Sequence, residues 1–172
     1  LAASLATYLY GFEIEDIANS LRTFIPSAAL TPGRLNIFKF KKFNVLIDFA
    51  HNPAGYEAIE DYLKNIEATK KIGIISGVGD RRDKDIQECG KIAGRMFDYI
   101  IIRNEKHLRG RPEEEINGLL ISGIQEAGKD VSYEIIPKEI EALKHAMSMA
   151  EEGTFITALS DVVSNAIDLV QE

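Results

Sequence analysis

The sequence predicts an α/β fold built on a mostly parallel sheet with helices on both faces. From residue 34 onward, short apolar runs typical of buried strands alternate with longer segments whose apolar residues recur at helical spacing. Parallel strands need a long connection between them, and a helical connection packs onto a face of the sheet. The 172 residues are 45% hydrophobic and 27% charged, which leaves room for one substantial core. We therefore expect a Rossmann-like domain.

The elements follow one another in a regular order along the chain. Residues 1–24 carry apolar side chains at helical spacing and predict two short helices, the first closed at Gly11, and a linker follows over 26–33. A hairpin is predicted around Lys41 and Lys42. Two-residue hairpin turns usually contain glycine or asparagine, and this one has neither, so a longer turn is also compatible with the sequence. Strands are predicted at 35–40, 43–49, 72–76, 99–103, 131–136 and 154–159. Helices are predicted over 53–66, 85–96, 112–127 and 137–150, and from about 161 onward.

Residues 46–53, with the sequence LIDFAHNP, connect a buried strand to a helix. Asn52 can accept hydrogen bonds from the free N–H groups of the next turn, and Pro53 suits the first helical position. In open α/β sheets, ligands bind where strand C-termini meet helix N-termini, which favour negative charge. We therefore expect Asp48 and His51 at a ligand crevice, with the Asp48 carboxylate at the sheet edge rather than in the core. On position alone, a turn-forming aspartate fits as well, and a solvated or packing role is the commoner one for a loop histidine.

Arg34 directly follows Pro32 and Gly33, where a hinge is predicted. A guanidinium group can hold phosphate or carboxylate through two parallel hydrogen bonds, and from a hinge it reaches a ligand only in a closed state. The alternative is a surface arginine paired with a local acid.

Two charged loops follow later strands. In the loop over 77–83, Asp80, Arg81 and Arg82 either meet a substrate across a cleft or form a solvated loop that caps the next helix. In the loop over 103–111, Glu105 can pair with a guanidinium group, and a carboxylate can be held by Arg103, Arg109 or Arg111. The glycines of the first loop do not complete a dinucleotide-binding fingerprint.

Composition and missing motifs exclude several classes of function. The 27 acidic and 20 basic residues give a net charge of −7, which argues against a general nucleic-acid binder. The single cysteine, Cys89, excludes an internal disulfide, fits a reducing compartment and is expected to be a small buried hydrophobe. No apolar run reaches membrane-spanning length, no phosphate-binding loop of the G-x-x-x-x-G-K-[ST] type is present, and His107 lacks a companion at metal-ligand spacing.

Three blocks of residues resemble the C-terminal domain of the Mur ligase superfamily, the ATP-dependent amide-bond ligases. The first block joins Pro32-Gly33-Arg34 to Asp48-Phe49-Ala50-His51-Asn52-Pro53. The second, Gly79-Asp80-Arg81-Arg82-Asp83-Lys84-Asp85-Ile86, and the third, residues 97–103 with Leu108-Arg109-Gly110-Arg111-Pro112, resemble the cyanophycin synthetase branch. The resemblance implies a Rossmann-like domain over 32–172 whose first strand is antiparallel to the others. It also implies that residues 1–31 are the helical tail of a central ATPase domain, and that the chain is a piece of a longer protein.

For activity, the resemblance implies an ATP-dependent ligase that adds arginine to the β-carboxylates of a poly-aspartate backbone through an acyl phosphate. Magnesium ligands are expected in the central domain, so this chain alone is expected to be inactive and to contribute no metal ligand or assigned catalytic residue. The residues expected to bind the nucleotide are Arg34, Asp48, His51 and Asn52. Those expected to bind substrate are Asp80, Arg81, Arg82, Arg103, Glu105, Arg109 and Arg111. The full-length enzyme is expected to be a cytoplasmic homo-oligomer that binds neither nucleic acid nor membrane.

Two other hypotheses stay open. The chain can belong to a muramyl-peptide or folylpolyglutamate ligase, or it can be a non-catalytic Rossmann-like binding module, because a fold alone does not determine function. Muramyl-peptide ligases recognise the incoming amino acid with an Asn-Pro-Arg element, and this sequence has Leu-Arg-Gly-Arg over 108–111 instead. The identity of the amino acid therefore cannot be transferred from those enzymes.

Overall fold

The computed structural model describes residues 1–24, 27–106 and 108–171, which form a sheet flanked by helices. The helices are α1 (Ala2–Leu9), α2 (Ile14–Thr23), α3 (Pro53–Lys64), α4 (Asp83–Met96), α5 (Glu113–Glu126), α6 (Glu139–Ser148) and α7 (Val163–Gln171). The strands are β1 (Asn36–Lys39), β2 (Phe43–Asp48), β3 (Lys70–Ile75), β4 (Tyr99–Ile102), β5 (Ser132–Ile135) and β6 (Thr154–Leu159). Strands and helices alternate from β2 onward, as the sequence predicts.

The sheet has the strand order β1-β2-β6-β3-β4-β5. β1 pairs antiparallel with β2, and each of the other neighbouring pairs is parallel. This confirms the predicted fold class, including its antiparallel edge strand. Because β6 lies between β2 and β3, the carboxyl ends of β2, β6, β3 and β4 meet side by side at one edge of the sheet, where open α/β sheets bind ligands.

The hairpin between β1 and β2 has a tight turn of two residues, Lys41 and Lys42. The Phe40 N–H donates to the Phe43 carbonyl at 2.9 Å, which closes the turn. The rings of Phe40 and Phe43 stack with their centroids 4.7 Å apart. Packing of these rings across the hairpin thus stabilises a two-residue turn that contains neither glycine nor asparagine. The longer turn that the sequence allows does not form.

Two apolar layers cover the sheet, one on each face. On β2, Leu46 faces the layer formed with α3, α4 and α5, whereas Val45 and Ile47 face the layer formed with α6 and α7. A strand covered on both faces must be apolar at successive positions, which explains its continuous apolar run. Cys89 is buried in the first layer at 5% exposure, which confirms its prediction as a small buried hydrophobe.

Two helices begin two residues later than the sequence predicts, α6 at Glu139 and α7 at Val163. The residues before each of these helices make contacts with other elements of the fold. The Pro137 carbonyl accepts a backbone hydrogen bond from the loop after β4, and the Asp161 carboxylate accepts from Arg103 at 2.8 Å. Tertiary contacts therefore set these two helix starts.

The helices α1 and α2 contain no buried residue. Several of their large apolar side chains are mostly exposed, among them Leu5, Tyr8, Ile14 and Leu21. Contiguous exposed apolar surface is typical of a face that another part of a protein covers. Within the part of the chain that the structure describes, no helix is long and apolar enough to cross a lipid bilayer.

Candidate functional site at the carboxyl edge of the sheet

A cleft of about 130 Å³ lies where β2, β3, β4 and β6 end. Its walls include six of the residues that the sequence predicts as functional: His51, Asp80, Arg81, Arg103, Glu105 and Arg109. The strand order brings together the loops that carry these residues, although they are far apart in the sequence. Asp161, which follows β6, joins the same wall and was not predicted.

Asp48 ends β2 beside this cleft and is only 8% exposed. Its carboxylate accepts hydrogen bonds from the backbone N–H groups of Leu35 and Ala50, both at 2.8 Å. Leu35 has a φ of 48°, a left-handed conformation that costs a non-glycine residue roughly 1–2 kcal/mol. Asp48 thus lies at the strand end as predicted, but it is buried by the turn that it holds.

The turn before β1 is held by Asn36, a residue that the sequence analysis missed. Asn36 is 3% exposed, its side-chain oxygen accepts from the Gly33 N–H at 2.6 Å, and its Nδ2 donates to the Arg34 carbonyl at 3.2 Å. Gly33 has a φ of 69°, and a Cβ there would lie 2.6 Å from Val163, so a side chain does not fit. A polar residue at the start of the edge strand, three positions after Gly33, was the available signal.

Arg34 is exposed at this turn and lies over an aromatic ring. Its guanidinium carbon is 5.3 Å from the centroid of Phe49, and its Nη1 donates to the Gly33 carbonyl at 2.9 Å. Among the residues that the structure describes, no carboxylate forms an ion pair with Arg34, which disfavours the local-acid alternative. The side chain is therefore a positioned cation over Phe49, which lines the cleft, although Arg34 itself and Asn52 are not among the lining residues.

His51 and Asn52 occupy the junction between β2 and α3. The Asn52 Oδ1 accepts from the Gly55 N–H at 2.9 Å, and Pro53 is the first residue of α3, which confirms the predicted cap. The His51 Nδ1 lies 2.9 Å from the Phe49 carbonyl oxygen. Because a carbonyl only accepts, this contact assigns the proton to Nδ1 and leaves Nε2 available to a ligand.

The loops after β3 and β4 touch each other across the outer wall of the cleft. Arg109 pairs with Asp80 at 3.1 Å. A Cβ on Gly79 would collide with the Leu108 carbonyl oxygen, so the two backbones approach as closely as glycine permits. Arg109 itself has a φ of 52°, another left-handed conformation for a non-glycine residue. The contact aims Arg109 and Asp80 into the same cleft.

Arg82 and Arg111 point to acids at the starts of α4 and α5. Arg82 pairs with Asp85 at 2.8 Å, and Arg111 pairs with Asp83 at 2.9 Å and also with Glu115. Neither arginine is among the residues that line the cleft. For Arg82 this arrangement fits the alternative of a solvated charged loop, although no side chain caps the start of α4.

Arg103 differs from its sequence expectation because it is 1% exposed. Its guanidinium group lies 2.8 Å from Asp161, 3.6 Å from Glu139 and 3.6 Å from Glu105. It also donates to the Leu159 carbonyl at 2.8 Å. A guanidinium group enclosed in this way ties β4, α6 and the end of β6 together and has little surface left for a substrate.

The three carboxylates around Arg103 share one positive charge. As a result, the pKa values of two of them are raised and that of the third is lowered. Burial raises the pKa of Glu105 to about 7, helped by its hydrogen bond with Asp161, while Arg103 acts in the opposite direction. Burial also raises the pKa of Glu139. Burial opposes ionisation of Asp161 as well, but hydrogen bonding with Glu139 and the charge of Arg103 outweigh it and hold the pKa of Asp161 well below its usual range.

Glu139 and Asp161 were missed by the sequence analysis. Asp161 lies two residues beyond the buried strand β6, so an acidic residue shortly after an apolar strand was the available signal, as it was for Asp48 at the end of β2. Within residues 1–24, 27–106 and 108–171, no group of His, Cys, Asp or Glu side chains has the arrangement of a metal site. His107 lies outside the described residues.

Comparisons with known proteins agree with this geometry. The family model for the glutamate ligase domain of Mur ligases matches residues 33–162. The cyanophycin synthetase of Trichormus variabilis is 40% identical over 171 residues, which is 99% of this chain and 19% of that protein. The UDP-N-acetylmuramoyl-L-alanyl-D-glutamate--2,6-diaminopimelate ligase of Aquifex aeolicus is 32% identical over 163 residues, which is 92% of this chain and 31% of that protein.

Solved structures share the fold. The E. coli FolC structure in complex with DHPP and ADP has a TM-score of 0.69 at 19% identity and covers 94% of this chain and 36% of its own. A UDP-N-acetylmuramoyl-L-alanyl-D-glutamate--2,6-diaminopimelate ligase structure has a TM-score of 0.65 at 20% identity and covers 99% of this chain and 38% of its own. Sequence and fold together show that this chain belongs to the Mur ligase family, as a C-terminal domain similar to that of the cyanophycin synthetases.

Proposed function

We propose that this chain is the C-terminal domain of an ATP-dependent amide ligase that adds arginine to the β-carboxylates of a poly-aspartate backbone through an acyl phosphate. The observation that carries the proposal is the cleft at the sheet edge, which brings charged residues of several loops together. The chain that forms this cleft is 40% identical to a cyanophycin synthetase over 99% of the chain's own length. The chain spans about a fifth of that relative, 19%, so the activity is a proposal for the longer protein.

We assign nucleotide contacts to the hinge side of the cleft. Arg34 offers an exposed guanidinium group for phosphate oxygens, and His51 and Asn52 lie at the N-terminus of α3, where anions are favoured. Asp48 contributes chiefly by holding the turn that carries Arg34. This set fits an anionic ligand such as ATP, and the magnesium ligands are assigned to the central domain.

We assign contacts with the incoming amino acid to the opposite wall. Arg81 and Arg109 line the cleft and can hold the α-carboxylate, with Asp80 beside them. Arg103 is assigned to positioning, and Arg82 and Arg111 to support of the loops, because their partners are internal acids. Specificity for arginine rests on similarity to the cyanophycin synthetases.

The domain boundaries belong to the same proposal. We assign residues 1–31 to the tail of a central ATPase domain and residues 32–172 to the C-terminal domain. The rest of the central domain would then cover the exposed apolar faces of α1 and α2. We further propose that the full-length enzyme is a cytoplasmic homo-oligomer.

The full-length protein is expected to form amide bonds when it is given ATP, arginine and a poly-aspartate primer, with stoichiometric release of ADP and phosphate. The 172-residue chain alone is expected to show no ATP turnover, because its sequence contains no phosphate-binding loop. Liquid chromatography of the polymer and a phosphate assay measure both. ATP turnover by the purified chain, or activity of the full-length protein on muramyl-peptide acceptors alone, would contradict the proposal.

A further inference from the structure

Glu105 occupies an unusual position in the cleft wall. Its side chain is only 10% exposed, yet it lines the cleft. Its Oε1 accepts a hydrogen bond from the Ser76 hydroxyl at 2.8 Å and lies 3.6 Å from Arg103 Nη2. The carboxylate is therefore held by Ser76 after β3 and Arg103 after β4, with Asp161 beside it, and it lines the cleft in which we propose that an amino acid binds.

The charges around Glu105 leave it without a full counter-charge. Arg103 is shared with Asp161 and Glu139, so one buried positive charge faces three carboxylates. A buried carboxylate in this setting readily takes up a proton. The other titratable or charged groups around it, among the described residues, are Tyr56 on α3, His51, Asp80, Arg81 and Arg109 in the cleft, and the adjacent Lys106.

We propose that Glu105 accepts a proton from the α-ammonium group of the incoming amino acid and so frees the amine to attack the acyl phosphate. The inference rests on the proposed ligase function. The carboxylate takes one proton from the ammonium and becomes the neutral acid. The nitrogen then forms the C–N bond, the bond between the acyl carbon and the phosphate oxygen breaks, and inorganic phosphate leaves. The second proton that the nitrogen loses passes to the departing phosphate.

The neighbouring carboxylates are poorer acceptors than Glu105. Asp161 accepts from Arg103 and from the Lys106 N–H, and its pKa is lowered. Glu139 accepts from the Ser160 hydroxyl and lines an adjoining groove, not this cleft. The pKa of Glu105, about 7, lies near the pH at which a proton acceptor works best in neutral solution.

Two nucleophiles test the inference in the full-length enzyme with the Glu105→Gln variant. Arginine enters with a protonated amine, whereas hydroxylamine is largely unprotonated at neutral pH and needs no acceptor. With arginine and a poly-aspartate primer, we expect kcat to fall by about 10²- to 10⁴-fold and to recover as the pH rises. Hydroxamate formation from hydroxylamine is expected to stay near the wild-type rate. Glu141→Gln, on the exposed side of α6, serves as the matched control and should change neither rate.

The outcomes separate the possible roles of Glu105. An equal loss with both nucleophiles would overturn the inference and assign Glu105 to structure. A raised KM for arginine with an unchanged kcat would overturn it too, because the carboxylate would then bind the guanidinium group. Glu105→Asp, which keeps the carboxylate, should retain part of the arginine rate. Absence of both amide and hydroxamate in the wild-type enzyme would instead refute the proposed ligase function itself.

Discussion

Replacing Arg103 with methionine is expected to lower the free energy of unfolding by about 3–5 kcal/mol, because removal of one partner from a buried ion-pair cluster leaves uncompensated charge. Arg103 is 1% exposed and faces the carboxylates of Glu105, Glu139 and Asp161. For a chain of this length the loss corresponds to roughly 6–20 °C in Tm. Thermal unfolding followed by circular dichroism measures it.

Arg82→Met is the matched control, because Arg82 pairs with a single acid, Asp85, on the surface. An exposed pair contributes little, and the control should change stability by less than about 1 kcal/mol. Equal shifts in the two variants would contradict the structural role of Arg103.

The Arg103→Met loss should also depend on pH. Because the pKa of Glu105 is raised to about 7, its contribution to stability is fully present below its ordinary pKa and is lost as the pH rises through about 7. The lowered pKa of Asp161 means that its contribution is present above its ordinary pKa and is lost on acidification. Without Arg103 the carboxylates repel one another when ionised, so the loss should be larger at about pH 8 than at about pH 5.

Replacing Asp48 with alanine is expected to cost about 2–6 kcal/mol of stability, because two partly buried N–H groups lose their acceptor at about 1–3 kcal/mol each. These are the N–H groups of Leu35 and Ala50. Asp48→Asn retains one acceptor oxygen and should lose about half as much. Urea unfolding of the three proteins compares them directly.

Leu35→Gly provides a second test of the same contact. Glycine adopts a φ of 48° without strain, so this change should recover roughly 1 kcal/mol in the Asp48→Ala background. If Asp48→Ala unfolds like the wild type while the KM for ATP rises, the carboxylate is a free ligand and not the support of the turn before β1.

The fold could be predicted because the sequence patterns that indicate it are local. The alternation of apolar strands and amphipathic helices, and the cap formed by Asn52 and Pro53, depend on residues within one or two elements. The strand order was not predicted, because the insertion of β6 between β2 and β3 depends on packing between segments more than 80 residues apart, such as the pairing of Ile72 with Ile156.

The site was predictable in its location more than in its roles. Polar residues after apolar strands marked the correct edge of the sheet, and six of them line the cleft. The role of Arg103 was not visible, because its partner Asp161 is 58 positions away and Glu139 lies at the start of another helix. Which of several arginines is buried depends on where the acids meet in space, and local sequence does not encode that.

Steady-state kinetics of Arg34→Ala and Arg109→Ala in the full-length enzyme test the central claim most directly, namely that one wall of the cleft serves the nucleotide and the other the amino acid. Loss of a charged hydrogen bond costs about 1.5–3 kcal/mol, or roughly ten- to more than a hundredfold in affinity. Arg34→Ala should raise the KM for ATP by that factor and leave the KM for arginine nearly unchanged, and Arg109→Ala should do the reverse. Equal effects of both variants on both substrates, or no effect of either, would contradict the division of the cleft into two binding walls.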